Sequence, residues 1–318
     1  MKPVLALVKH ASARALLCAG LTLGAFAVAS CGPPPKPPAA EPAGAAWQDV
    51  IEGNEALVGV VRPKAVLHDP VFGPLFHSGL TATMAHEGST PSLDLLAATE
   101  EIIVVSSADR RNGTMLVLSG VPADKSPDRI GDDHGQALFQ KGAETKTVSE
   151  WPSTRGGELS LFVLPHRTWV IASEGFQKRA RQAFATPSGR PMPVYGDEKA
   201  LAIVRIDGTE LLKGRPRAHG LMASVTDKLE AVIAELMPDK KGVNVTVRYK
   251  NDDQAGFSAI ALEDIKKRLL GDGSRRFQWL STATIAREGN RDVKVHVDLP
   301  PDFMEQMRRA SPQDLINL

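Results

Sequence analysis

Three histidines gather with acidic neighbours inside a span of twenty residues: His68-Asp69, His77 and His86-Glu87. Imidazole binds metals and exchanges protons near neutral pH, so such a group is the first place to look for chemistry. The spacing argues against a shared metal. Positions nine apart on one helix differ by about 900°, which puts His77 and His86 on opposite sides. Solvated side chains are expected there, and no metal site is assigned. Asp132-Asp133-His134 lies in a Gly-flanked polar stretch, but its oxygens lack the regular spacing of a calcium loop. Asn251-Asp252-Asp253 stands where the cap of a helix belongs. Arg62 and Arg205 end two similar apolar segments, 56–62 and 200–205. A pair of arginines grips a carboxylate or phosphate well, so these two are the candidate cleft residues. The plainer reading is that each carries its segment out into water. His166-Arg167 marks the tip of an expected hairpin and is a candidate partner contact. Trp151, Trp169 and Trp279 share no spacing and read as packing residues rather than a stacking platform for sugars.

No catalytic and no cofactor-binding residue is assigned. The chain has no GxSxG elbow, no HExxH, no phosphate loop of the GxxxxGK[ST] type and no GxGxxG after a strand. No cofactor is expected on these grounds.

The clearest chemistry belongs to Cys31. Lys2, Lys9 and Arg14 make a basic start without an acidic residue, and residues 15–30 then run without a charge. That run is shorter than the roughly 20 apolar residues that a helix needs to cross a bilayer. A basic start, a short apolar run and small residues before a cut describe an export signal over 1–30. Val28-Ala29-Ser30-Cys31 resembles the lipobox of bacterial lipoproteins. The resemblance covers this segment alone. It implies that the Cys31 sulfur takes a diacylglyceryl group in thioether linkage, that the chain is cut before it, and that the new amine is acylated. It also implies a membrane as partner, reached through the lipid. Aspartate after the cysteine often favours inner-membrane retention in this class; Gly32 stands there. The expectation is therefore the outer membrane, facing the periplasm, with the cell surface or inner membrane as alternatives. A single acyl chain attaches reversibly, with about 0.8 kcal/mol per buried methylene, so several chains together hold a protein firmly.

The formal charge of the chain is +1. Taking away the three basic residues of 1–30 leaves −2, which gives no electrostatic reason to bind nucleic acid. Of two cysteines, Cys18 lies in the export signal and Cys31 is occupied by lipid, so no disulfide is available. Stability has to come from an apolar core.

Residues 32–46 read GPPPKPPAAEPAGAA, six of fifteen being proline. Proline fixes φ and removes a backbone donor, so 31–46 is expected to be a semi-rigid tether. Beyond it the pattern predicts an α+β body in two halves, 47–190 and 191–318, with antiparallel sheets covered by helices. Strands are predicted at 56–61, 101–107, 114–119, 159–164, 168–173, 200–206, 243–249, 282–287 and 291–297. Asn112-Gly113 predicts one hairpin turn, the break at 165–167 a second and Gly289-Asn290 a third. Helices are predicted at 70–84, after Ser126-Pro127, at 175–185, 221–236, 253–269 and 301–309. The 221–236 pattern, with Leu221, Met222, Val225, Leu229, Val232, Ile233 and Leu236, follows the 3.6-residue period. In the 253–269 helix, Phe257, Ile260, Ala261, Ile265 and Leu269 are expected to face inward. The likeness of 56–62 to 200–205 points to two duplicated ferredoxin-like halves, each a strand–helix–strand unit closed by a hairpin and a helix.

The function read from the sequence is a membrane-anchored envelope lipoprotein acting as a non-enzymatic binding or scaffold module. The alternatives are an envelope hydrolase with a non-standard site and a carrier of an apolar ligand.

Overall fold

The computed structural model describes residues 47–52, 55–70, 72–73, 91–107, 113–131, 136–145, 147–154, 156, 158–187, 196–212, 219–238, 242–271 and 280–299. The fold is α+β: antiparallel sheet with helices packed on it. The chain forms two compact units, one built around Val60–Pro193 and one around Val194–Arg309 with Ala56–Gly59. Strand β1 (Leu57–Val61) is buried along its whole length. Helix α1 (Pro63–His68) follows at once, with its proline in the first turn, where a missing N–H costs nothing. The predicted helix over 70–84 lies almost wholly outside the described residues, as do the tether and the helix at 301–309.

The first unit continues with α2 (Pro91–Ala98), β2 (Glu101–Ser106), β3 (Thr114–Ser119), β4 (Ser149–Pro152), β5 (Leu159–Leu164), β6 (Thr168–Ser173) and α3 (Glu174–Ala185). Its strands lie antiparallel in the order β2-β3-β6-β5-β4. The central strands are apolar runs because both faces are covered. Ile102, Val104, Leu116, Leu118, Leu161, Trp169 and Ile171 line one face, packed with Leu95, Val121, Ile130 and Phe139. The opposite face takes α3, whose Phe176, Ala180 and Phe184 are buried; Phe184 meets Phe162 edge to face at 5.4 Å. The short turn Trp47–Val50 packs on α3. Arg179 of α3 lies 4.4 Å over the Phe176 ring and pairs with Glu52 at 2.8 Å.

Both predicted hairpins of this unit are present. Gly113 takes φ 71° at the end of the first turn. A Cβ there would fall on the Ser173 hydroxyl, which accepts the Thr114 amide at 2.9 Å. The helix after Ser126 is a single turn, Pro127–Arg129, and the Ser126 side chain does not cap it. Helix α2 and strand β4 were not predicted.

The second unit holds β7 (Ala202–Asp207), α4 (Gly208–Leu212), α5 (Leu221–Thr226), β8 (Leu229–Leu236), β9 (Gly242–Tyr249), α6 (Asp252–Gly271), β10 (Thr284–Glu288) and β11 (Asp292–Asp298). These strands are antiparallel in the order β10-β11-β9-β8-β7.

Two expectations are corrected here. The predicted 221–236 helix is a helix only to Thr226; 229–236 is strand β8. Its inward residues Leu229, Ala231 and Ile233 alternate with half-buried Glu230, Val232 and Ala234, a period of two that the larger apolar residues had masked. Lys228, at φ 53°, turns the chain between the two elements. Second, α6 presents a different face. Gln254, Ala255, Ser258 and Ala261 are buried, whereas Phe257 is 62% and Ile260 66% exposed. The cause is polar. Gln254 Nε2 and the Ser258 hydroxyl (2.6 Å) both donate to Ser224 O, and Tyr249 Oη donates to Val225 O at 2.9 Å. These bonds satisfy carbonyls in the last turn of α5, which have no partner within their helix. The predicted ferredoxin-like duplication is not confirmed: the helix expected to close the second half, 301–309, lies outside the described residues, and α6 precedes the hairpin β10–β11 whereas β4 precedes β5–β6. The strand order is nonetheless alike in the two units, β2-β3-β6-β5 in one and β8-β9-β11-β10 in the other.

Strand β9 departs from its predicted wet face in one place: Thr246 is buried along with Val247 and Tyr249. Asn251 caps α6 as predicted, accepting the Gln254 amide at 3.0 Å. The outer strand β10 is exposed and carries Arg287 and Glu288, charges that discourage further strand pairing.

Candidate functional site

The two arginines singled out in the sequence fall in different units. Arg62 immediately precedes α1 without a capping side-chain hydrogen bond, and its Nη2 lies 3.0 Å from Glu101 on β2. A carboxylate already holds that guanidinium. Arg205 sits half-buried in mid β7, opposite Ile233 of β8. Cys31, His77, His86, the 132–134 cluster and Trp279 lie outside the described residues. His68 is exposed, its Nδ1 donating to Lys64 O at 2.6 Å. Its neighbour Asp69 is buried and accepts the Phe72 amide at 2.9 Å. Among the described residues, no group of three His, Cys, Asp or Glu side chains is placed to hold a metal ion.

A candidate pocket bounded by described residues lies in the first unit. A cavity of about 260 Å³ is lined by Leu95, Asp124, Lys125, Ser126, Arg129, Ile130 and Trp169. Its floor is apolar: Leu95 from α2, Ile130 from the loop and Trp169 from β6 are each 5% exposed. Alternation places Trp169 on the α2 side of the sheet, since β6 pairs Leu118 with Trp169 and Leu116 with Ile171. Trp169 is thus a core residue, as read from the sequence, and also a wall of the cavity.

The rim is polar and comes from one segment. Val121 donates its amide to Arg167 O at 3.0 Å, tying the segment to the tip of the β5–β6 hairpin. There His166 and Arg167 take φ 58° and 56°, a left-handed conformation that costs a side-chain-bearing residue roughly 1–2 kcal/mol. The bond from Val121 and the Arg167–Glu100 pair at 3.5 Å help hold it. Further on, Lys125 N–H donates to Pro122 O, Arg129 N–H to Ser126 O and Ile130 N–H to Pro127 O. Pro127 fixes this turn, so Lys125 and Arg129 border the same opening while Ile130 turns inward. Lys125 and Asp124 approach at 3.9 Å. Among the described residues, Arg129 has no carboxylate partner. Among the described lining residues, the mouth therefore carries two cations against one carboxylate.

Sequence reasoning did not find this site. Leu95 and Ile130 look like any core residues, and Lys125 and Arg129 like any loop charges. The one local signal was Ser126-Pro127, which announced a fixed turn between the two cations.

No protein-family model matches the chain. No curated protein matches it either. Among solved structures, the chain is similar to crystal form IV of TP0453, with a TM-score of 0.48 and 10% identity over 82% of this chain and 94% of that one. Crystal form I of TP0453 gives 0.45 and 12% over 85% and 96%, and crystal form III 0.45 and 10% over 84% and 97%. A likeness at this level transfers no function.

Proposed function

We propose that this protein is a lipid-anchored component of a bacterial envelope, held at the outer membrane through Cys31 and facing the periplasm, whose folded body is a binding module. One observation carries the reading. Val28-Ala29-Ser30-Cys31 follows a charge-free run with a basic start, and a proline-rich tether separates it from the first described residue, Trp47. Sulfur is the nucleophile that the lipid transfer needs, and the cut leaves Cys31 at the new amino terminus. A tether of fifteen residues extends up to about 3.1 Å per residue, so the body works within a short reach of the bilayer. No helix among the described residues is long and apolar enough to cross a membrane. Attachment is accordingly assigned to the lipid.

The test is fractionation of cells producing the parent or Cys31→Ser. The parent should be found in the outer-membrane fraction and need detergent for release, and the variant should leave that fraction. Equal partition of the two proteins would defeat the proposal.

A further inference from the structure

We propose that the cavity beneath the 121–130 segment binds a small organic monoanion, its apolar body against Trp169 and its carboxylate at the mouth between Lys125 and Arg129. The inference rests on reading the body as a binding module and does not depend on the anchor. Size sets the first limit. The 260 Å³ volume equals roughly nine shares of liquid water at about 30 Å³ each, enough for an aromatic ring or a short acyl chain but below the range of most drug-sized pockets. The floor sets the second. Leu95, Ile130 and Trp169 offer hydrocarbon and a flat indole, which favour an apolar body and an aromatic ring above all. Charge sets the third. Among the described lining residues, Lys125 and Arg129 outnumber Asp124, Asp124 lies 3.9 Å from Lys125, and Arg129 offers a planar fork of donors that matches a carboxylate. A cationic ligand would meet that guanidinium, and a fully polar one would leave the floor unfilled.

The experiment is calorimetric titration of the intact protein in non-ionic detergent with phenylacetate, its isosteric neutral amide phenylacetamide, and 2-phenylethylammonium. Phenylacetate should bind at one saturable site about fivefold more tightly than the amide, the ratio expected of one partly exposed charge pair, and the ammonium should bind more weakly than either. In Lys125→Gln/Arg129→Gln, two changes at the rim, phenylacetate should fall to the affinity of the amide while the amide is unchanged. Leu95→Trp, which fills the floor, should abolish both. Absence of saturable phenylacetate binding to the parent, or equal affinity of parent and double variant for it, would overturn the proposal. Neither result bears on lipidation of Cys31, and failure of lipidation would leave this titration as it stands.

Discussion

Arg248 and Asp292 face each other across strands β9 and β11, with Nε to Oδ1 and Nη2 to Oδ2 both at 2.8 Å. The two parallel bonds form because the register sets the residues directly opposite one another, where a planar guanidinium matches a carboxylate. The hydrogen bond from Arg248 holds the Asp292 carboxyl below its ordinary range, against the opposing effect of partial burial. The same bond holds Arg248 above its ordinary value. On the other unit, Arg181 does the same for Glu150 through Nη2 at 2.6 Å and Nε at 3.0 and 3.1 Å.

A carboxyl whose pKa is depressed by folding adds stability that is fully present above its unfolded value, about 4, and is lost as the pH falls through the lower folded value. Asp292→Asn should therefore lower stability near neutral pH, by about 1 kcal/mol or less because both side chains are partly in water. The deficit should shrink as the pH is taken below about 4. Urea unfolding of parent and variant at pH 7 and pH 3 measures this, and a deficit that grew in acid would refute the assignment.

The orientation of α6 predicts an inverted mutational pattern. Phe257→Ser and Ile260→Ser change exposed side chains and should alter stability by no more than about 0.5 kcal/mol. Gln254→Leu removes one of two donors to Ser224 O, which keeps the Ser258 hydroxyl, and should cost about 0.5–1.5 kcal/mol. Ala255→Leu, at a position fully buried in the second core, should cost about 1–3 kcal/mol through overpacking. Denaturant midpoints read all four. Large losses at Phe257 and Ile260 with none at Gln254 would mean that the helix is turned the other way.

Phe176 is fully buried beneath the first sheet and is also the ring beneath Arg179. Phe176→Ala should destabilise by about 3–5 kcal/mol, the usual cost of deleting a core aromatic ring. Arg179→Met, which keeps the hydrocarbon stem, should cost about 1 kcal/mol or less. Thermal or urea unfolding separates the two. Comparable losses would show that the charge over the ring matters as much as the packing under it.

Legibility in the sequence followed the number of physical constraints acting at each place. Asn112-Gly113 and the break at 165–167 sit between apolar runs of matched length, so turn and strand signals agreed and both hairpins are found where expected. Helix α3 was legible because its buried apolar residues, Phe176, Ala180 and Phe184, lie on one face at helical spacing. The 229–236 segment was misread because Leu229, Val232, Ile233 and Leu236 satisfy a helical period as well as a strand does. Only the half-buried Glu230 and Ala234 break the tie, and their weight depends on which neighbours they meet. The α6 face was misread for the opposite reason. Its burial is decided by donors for the carbonyls of α5, a requirement that exists only once α5 is packed there. The cavity needed three distant segments, around 95, 125 and 169, and nothing in local pattern joins them.

Lipidation of Cys31 is tested most directly on the amino-terminal peptide of the mature protein. Protein purified from membranes should be digested and that peptide weighed. The expected result is a peptide beginning at Cys31, heavier than its sequence by a diacylglyceryl group and an N-linked acyl chain. A peptide that starts elsewhere, or one that begins at Cys31 with an unmodified thiol and amine, would contradict it.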